Sequence, residues 1–150
     1  MVGRIAGIAR HARPKAPMEV IGHATVTLAG GIQDDFRGAM KGKPHKRQVT
    51  LIEANDWAAA QELVGHNIAW QERRANLLVE GFDLPQQPGA RLRVGTALLE
   101  VTCETDPCER MEELAEGLRA ALIPDWRGGI CTKVVEAGEI AVGDTIRIEE

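Results

Sequence analysis

Short apolar runs that alternate every second residue, each closed by glycine or a turn residue, constrain this chain more than any other feature. ATVTL sets Ala24, Val26 and Leu28 on one face, the period of a half-buried strand. RIAGI, QVTLIEA and NLLVEG are further runs of strand length. PGARLRVGTALLEVTC reads as two strands around a turn at Gly95-Thr96, and GEIAVGDTIRIEE has a similar plan around Gly143-Asp144. The echo points to two hairpins or bent strands of similar design. ANDWAAAQELVG reads as a short helix. Asn55 is its expected cap, Trp57, Gln61 and Val64 share a face, and Gly65 is its stop. No Pro/Ser-rich linker divides residues 1–150, so a single domain is expected. The expected fold is mixed α/β, a mainly antiparallel β-barrel with peripheral helices, because closing a sheet removes its exposed edges.

Composition narrows the function classes. The formal net charge of -4 argues against nonspecific binding to nucleic acid or an anionic membrane. Tyr is absent and Phe occurs twice, which leaves no aromatic platform for stacked bases. No apolar run has the length of a membrane span. MVGRIAGIARHARP is interrupted by Arg4, Arg10 and Arg13, unlike the apolar block of a signal peptide. Three cysteines do not make a disulfide scaffold, and a cytoplasmic location is expected.

DPCERM places a cysteine at an expected helix start. Asp106 is the expected cap, Pro107 the first helical residue, and Glu109 completes a capping-box-like pattern. Met111, Leu114, Ala115, Leu118 and Leu122 then form an apolar stripe that Pro124 ends. Two readings of Cys108 stand side by side. In one, unpaired N–H groups and Arg110 favour a thiolate that ligates a soft metal or carries a persulfide, against the opposing charges of Asp106 and Glu109. In the other it is a small thiol filling space beside the helix. Cys103 alternates with Leu99 and Val101 and is expected in the core. Cys131 belongs to a strand, with its face unassigned. Cys-x4-Cys with a distant third cysteine lacks the paired spacing of structural zinc sites, and a Cys103–Cys108 disulfide depends on geometry.

The basic residues gather near strand entrances. The loop from Gly31 to Gln48 carries Arg37, Lys41, Lys43, His45, Lys46 and Arg47, and reads either as the border of a functional site or as a solvated excursion. RRANLLVEG puts Arg73, Arg74 and Asn76 just before a strand, as KRQVTL does with Arg47. In WRGGI, Arg127 is suited to bidentate contact with phosphate, and Gly128 and Gly129 to close approach of a ligand; the plain alternative is a turn after Pro124. The guanidiniums either converge across a barrel mouth or form surface ion pairs. The four histidines form no ligand cluster, and HExxH, P-loop and GxSxG motifs are absent.

Taken in order, GRIAGI, GGIQDDFRG, RQVTLIE, RRANLLVEGFDL, GARLRVGTALLEVT, DPCERM, RGGICTKVVEAGEI and VGDTI resemble the MOSC family, named for the C-terminal domain of molybdenum-cofactor sulfurases. The likeness is greatest to its small standalone members, and it implies a fold similar to the β-barrel domain of pyruvate kinase. It also implies binding of the molybdenum–molybdopterin cofactor, in sulfur transfer or in reduction of N-hydroxylated compounds. Cys108 matches the family cysteine, which the resemblance makes a molybdenum ligand or sulfur carrier. Arg74 and Asn76 match the family R-x-N element, and Arg127 matches the arginine of the RGG element. With Arg47, Gly128 and Gly129, these residues are expected to hold the pterin phosphate or nearby oxygens. Asp35 matches the family aspartate and is the second expected catalytic residue. Asp34 stands where the family usually has glycine, and Arg37 at the common histidine position. A turn needing positive φ tolerates Asp less readily than Gly, and this departure raises the alternative of a noncatalytic cofactor-binding or protein-interaction module. A small-molecule substrate and an electron-donor or sulfur-donor protein are the implied partners. The pyridoxal-phosphate-dependent desulfurase domain of the family's sulfurases has no counterpart in these residues, so no pyridoxal phosphate is expected here.

Overall fold

A computed structural model of the protein describes residues 2–37 and 46–150. The chain opens with β1 (Val2–Arg10), β2 (Glu19–Ile21), β3 (His23–Thr27) and β4 (Gly31–Ile32). β5 (Val49–Glu53) leads into α1 (Ala54–Val64), a 3-10 turn at Trp70–Arg73, and β6 (Leu77–Glu80). β7 (Arg91–Val94) and β8 (Ala97–Glu104) form a hairpin, followed by α2 (Glu109–Leu114), α3 (Leu118–Ala121) and a 3-10 turn at Pro124–Trp126. β9 (Ile130–Glu136), β10 (Gly138–Ala141) and β11 (Thr145–Glu149) complete the chain.

Among the described residues, seven strands close a barrel in the order β11-β7-β8-β9-β5-β6-β1, sealed by pairing of β11 with β1. Closure satisfies both hydrogen-bonding edges of every wall strand. The β5–β6 pair is parallel, with Leu51 opposite Leu77, and the other wall pairings are antiparallel. α1 makes the crossover that a parallel pair requires. β2 extends the wall beside β1, and β10-β3-β4 form a separate three-stranded sheet.

Two apolar clusters sit on opposite sides of the wall. Ile5, Leu51, Leu77, Leu92, Leu99 and Ile146 fill the barrel. Ile52, Trp57, Met111, Leu118 and Leu122 pack between the wall and the helices. Strand parity explains the division on β5. Val49 and Leu51 enter the barrel, while Ile52 faces the helical layer. Each fully buried Leu or Ile contributes roughly 1.5–3 kcal/mol of transfer free energy.

Several expectations are corrected. Leu28 lies in the turn after β3 and is 58% exposed, unlike buried Ala24 and Val26. Asn55 is inside α1, because Glu53 is the N-cap; Gly65 does stop the helix, at φ 72. The expected long helix after Asp106 is two short ones. Cys108, not Asp106, is the N-cap of α2, and Pro107 precedes the helix. Gly117 takes φ 85, and the Glu112 carboxylate accepts the N–H groups of Gly117 (2.8 Å) and Arg119 (3.3 Å). That side chain caps the second piece across the break, so the apolar stripe stays buried without a continuous helix. Pro124 opens a 3-10 turn. β10 and β11 are not a hairpin: β10 pairs with β3, and β11 with β7 and β1. Asp144 Oδ2 accepts the Ala141 N–H at 2.8 Å and fixes the corner between the two sheets. Cys103 is only half-buried, because the β8–β9 register shifts between Val101 and Cys103.

Candidate functional site

Six chain segments meet at one corner of the wall. His11 follows β1, and Asp35 follows β4. Arg47 precedes β5, and Arg73 to Asn76 lead into β6. Thr105 to Cys108 join β8 to α2, and Gly128 precedes β9. Because β5 and β6 are parallel, their N-terminal ends fall on the same side. The segments surround a cavity of about 200 Å³ whose lining includes five arginines, at 37, 47, 73, 74 and 110, against Asp35 and Asp106.

Asn76 stitches the cavity floor. Its Oδ1 accepts the Thr50 N–H (3.0 Å) and the Thr50 hydroxyl (3.3 Å), and its Nδ2 donates to Ala9 O at 3.1 Å. One side chain thereby joins β1, β5 and the approach to β6. Arg73 joins two further segments. It is 6% exposed and donates through Nη2 to Thr105 O and Gly128 O, each at 3.0 Å, and through Nε to Gly128 O. Burial lowers its pKa, and the nearby Cys108 sulfur is the chief charge opposing that shift. A side chain at Gly128 is excluded: a Cβ there would lie 2.5 Å from Thr105 O and 3.1 Å from Arg73 Nη2. Gly129, at φ 102, lies against the Leu51 backbone.

Arg74 turns the chain into β6 with φ 66 and donates through Nη2 to Ala16 O at 3.0 Å. Burial, then the charge of Arg110, lowers its pKa. Asp35 is 1% exposed, and its Oδ1 accepts the His11 N–H at 3.1 Å. The preceding Asp34 adopts φ 66, the left-handed conformation that short Asp side chains reach more readily than most residues. Aspartate thus occupies the turn without abolishing it.

The cysteines separate cleanly. Cys108 is exposed and lines the cavity, with its C=O accepting the Met111 N–H at 2.9 Å. Met111 is buried in the helical cluster and anchors this turn. The space-filling reading of Cys108 is therefore set aside. Cys131 is buried, with the Thr105 hydroxyl 3.2 Å from its sulfur, and burial pushes its thiol pKa up. All three cysteines are free thiols. Among the described residues, no group of three or more His, Cys, Asp or Glu side chains is placed to hold a metal ion. The distant-cysteine zinc pattern has no structural counterpart there.

The MOSC domain sequence pattern matches residues 23–147 of this chain. The chain belongs to the MOSC domain family. No curated protein matches it in sequence. Among solved structures it is similar to the YuaD protein of Bacillus subtilis, with a TM-score of 0.81 at 18% identity, covering 97% of this chain and 94% of that one. It is also similar to YiiM from Geobacillus stearothermophilus, with a TM-score of 0.76 at 17% identity and coverage of 99% and 75%. For YiiM from Escherichia coli the TM-score is 0.71 at 12% identity, with coverage of 98% and 70%. These likenesses establish a shared fold.

Of the residues expected at a MOSC site, Cys108, Asp35, Arg47, Arg74, Asn76 and Gly128 line the cavity, whereas Arg127 and Gly129 are not part of the lining. Arg127 Nη1 donates to Ala121 O at 3.2 Å, and its charge stabilises the Asp56 carboxylate. The buried anchor Arg73 is among the guanidiniums expected at strand entrances but has no cofactor contact assigned from sequence, and His11, Thr50 and Thr105 have none either. Arg73 adjoins Arg74 in the same motif, which was the available signal; His11 carried none. Lys41, Lys43 and His45 lie outside the described residues. No helix among the described residues is long and apolar enough to cross a membrane.

Proposed function

We propose that the cavity binds the molybdenum–molybdopterin cofactor and that the protein acts in sulfur transfer or in reduction of N-hydroxylated compounds. The observation that carries this reading is the exposed Cys108 thiol in one cavity with five arginines. A soft thiolate suits molybdenum, and guanidiniums suit a phosphate or oxo group. The donor set fits the cofactor. When bound, the cofactor would supply redox chemistry that no side chain here provides. The chain's own residues bind and orient. Cys108 is the metal ligand or sulfur carrier. Arg74 and Arg47 contact the anion, in place of the expected Arg127, while Arg73 holds the Thr105 and Gly128 backbones in position. Asp35 fixes His11 at the cavity edge.

In the reductive version, cleaving an N–O bond consumes two electrons and two protons and releases water. An electron-donor protein is the proposed source of the electrons. The left-handed φ of Asp34 keeps a turn beside Asp35, which favours the cofactor-binding site over loss of the loop. Anaerobic reconstitution followed by molybdenum and pterin measurement tests the reading. Wild type should retain both, while Cys108→Ser should lose most of its molybdenum and keep more of its pterin. Equal metal retention by the two proteins contradicts the ligand role.

A further inference from the structure

One ring in the cavity is left unsatisfied. His11 is 7% exposed and lines the cavity, and its Nδ1 is buried with no hydrogen-bond partner. Its backbone is firmly held: the N–H donates to Asp35 Oδ1 at 3.1 Å, and the C=O accepts the Phe36 N–H at 2.7 Å. Nδ1 lies 3.4 Å from Asp35 Oδ1 without the alignment of a hydrogen bond. A buried polar atom without a partner is unfavourable, and here it belongs to a residue that lines a cavity whose charge invites an anion.

Among the described residues, the charged groups acting on the ring come from two segments. Asp35 and Arg37 belong to the segment after β4, and Arg74 to the turn before β6. Burial holds the His11 pKa below the ordinary histidine value; Asp35 opposes that shift, and Arg74 and Arg37 reinforce it. Burial thus favours the neutral ring. An oxyanion entering the cavity offsets both arginines, which favours the protonated ring, and the protonated Nδ1 then has Asp35 Oδ1 at 3.4 Å as its acceptor.

We propose that His11 is the proton-accepting contact of an oxyanion site: one proton passes from solvent to the imidazole as a tetrahedral oxyanion binds, and the imidazolium stabilises that anion beside the arginines. No electron moves, and no covalent bond other than N–H forms or breaks. The inference rests on the reading of this cavity as an anion site and assigns it a proton-coupled ligand class. The sign follows directly. The bound state has the higher His11 pKa, so affinity is greatest at low pH and falls as pH rises through that value.

Sodium sulfate is a suitable probe because it does not titrate between pH 5.5 and 8.5. Calorimetry is done in a Cys108→Ser background, which removes the cavity thiol and leaves the arginines and His11 in place. Affinity should fall by up to about tenfold per pH unit across the responsive range, with proton uptake visible as a dependence on buffer ionisation enthalpy. His11→Gln in the same background should bind sulfate with a nearly flat pH profile. An equal slope in His11→Gln overturns the inference while leaving the anion site intact. Sulfate binding to neither protein at any pH overturns the anion reading together with it. Nitrogen NMR of His11 in the otherwise unaltered protein serves independently of the fold of the variant. Saturating sulfate at pH 7 should move the ring toward imidazolium shifts, and a ring that stays neutral while sulfate binds contradicts the proposal.

Discussion

The two ends of β5 carry opposite charge. At its start, Arg47 and Thr50 line a cavity where five arginines face two aspartates. At its finish, Glu53 lies beside Asp56, and the charges of Asp83, Asp125 and Arg127 act on this acidic group. Burial raises the Glu53 pKa to about 7, reinforced by Asp56 and opposed by the Leu84 N–H that its Oε2 accepts at 3.1 Å. Both ends border the same apolar wall. What distinguishes them is which long side chains reach each end, and that is decided by turns. Arg73 and Arg74 approach the wall through the turn before β6 and serve the cavity. Arg127 leaves the Pro124–Trp126 turn toward Ala121 and Asp56 and serves the acidic end.

The comparison breaks most visibly if the cavity floor is not built as described. Asn76→Ala strips the buried Thr50 N–H and Ala9 carbonyl of their side-chain partner, and should cost about 1–3 kcal/mol in chemical denaturation. A change within about 0.5 kcal/mol would mean that Asn76 does not stitch the strands. Next come the arginines. Arg74→Gln should lower pterin retention about tenfold, the effect of losing one charge-assisted contact. Arg127→Gln should leave retention nearly unchanged. Equal losses from the two would erase the distinction between the ends.

The smallest effect sharpens the acidic end. A carboxyl whose folded pKa is raised favours the protonated state, so its stabilising contribution is present at low pH and lost as pH rises from about 4.5 through about 7. Glu53→Gln should therefore raise Tm at pH 8 relative to wild type, and the gain should shrink by pH 5. A gain that does not vary with pH would show that Glu53 does not titrate in this window.

Much of the barrel was legible because its wall strands obey a local two-residue period. Leu99 and Val101 of β8 are buried where alternation puts them, and so are Ala24 and Val26 in the separate sheet. Leu28 departs because the strand has already ended. The helix break was hidden for a physical reason: Ala115, Leu118 and Leu122 stay buried on either side of Gly117, so the apolar stripe continues where the backbone does not. Short motifs single out Cys108, Arg74 and Asn76, and the fold brings the three to one cavity. Arg127 lies outside that lining and donates to Ala121 O, because motif adjacency does not encode the direction of a side chain. His11 escaped because its significance lies in an unpartnered nitrogen, which exists only once Asp35 and Arg74 have folded around it.

The central claim is that Cys108 presents a sulfur to molybdenum inside an arginine-lined cavity. X-ray absorption at the molybdenum edge, on protein reconstituted anaerobically, addresses that bond directly. Wild type should show one more short molybdenum–sulfur scatterer than Cys108→Ser. Identical sulfur shells in the two proteins would contradict it.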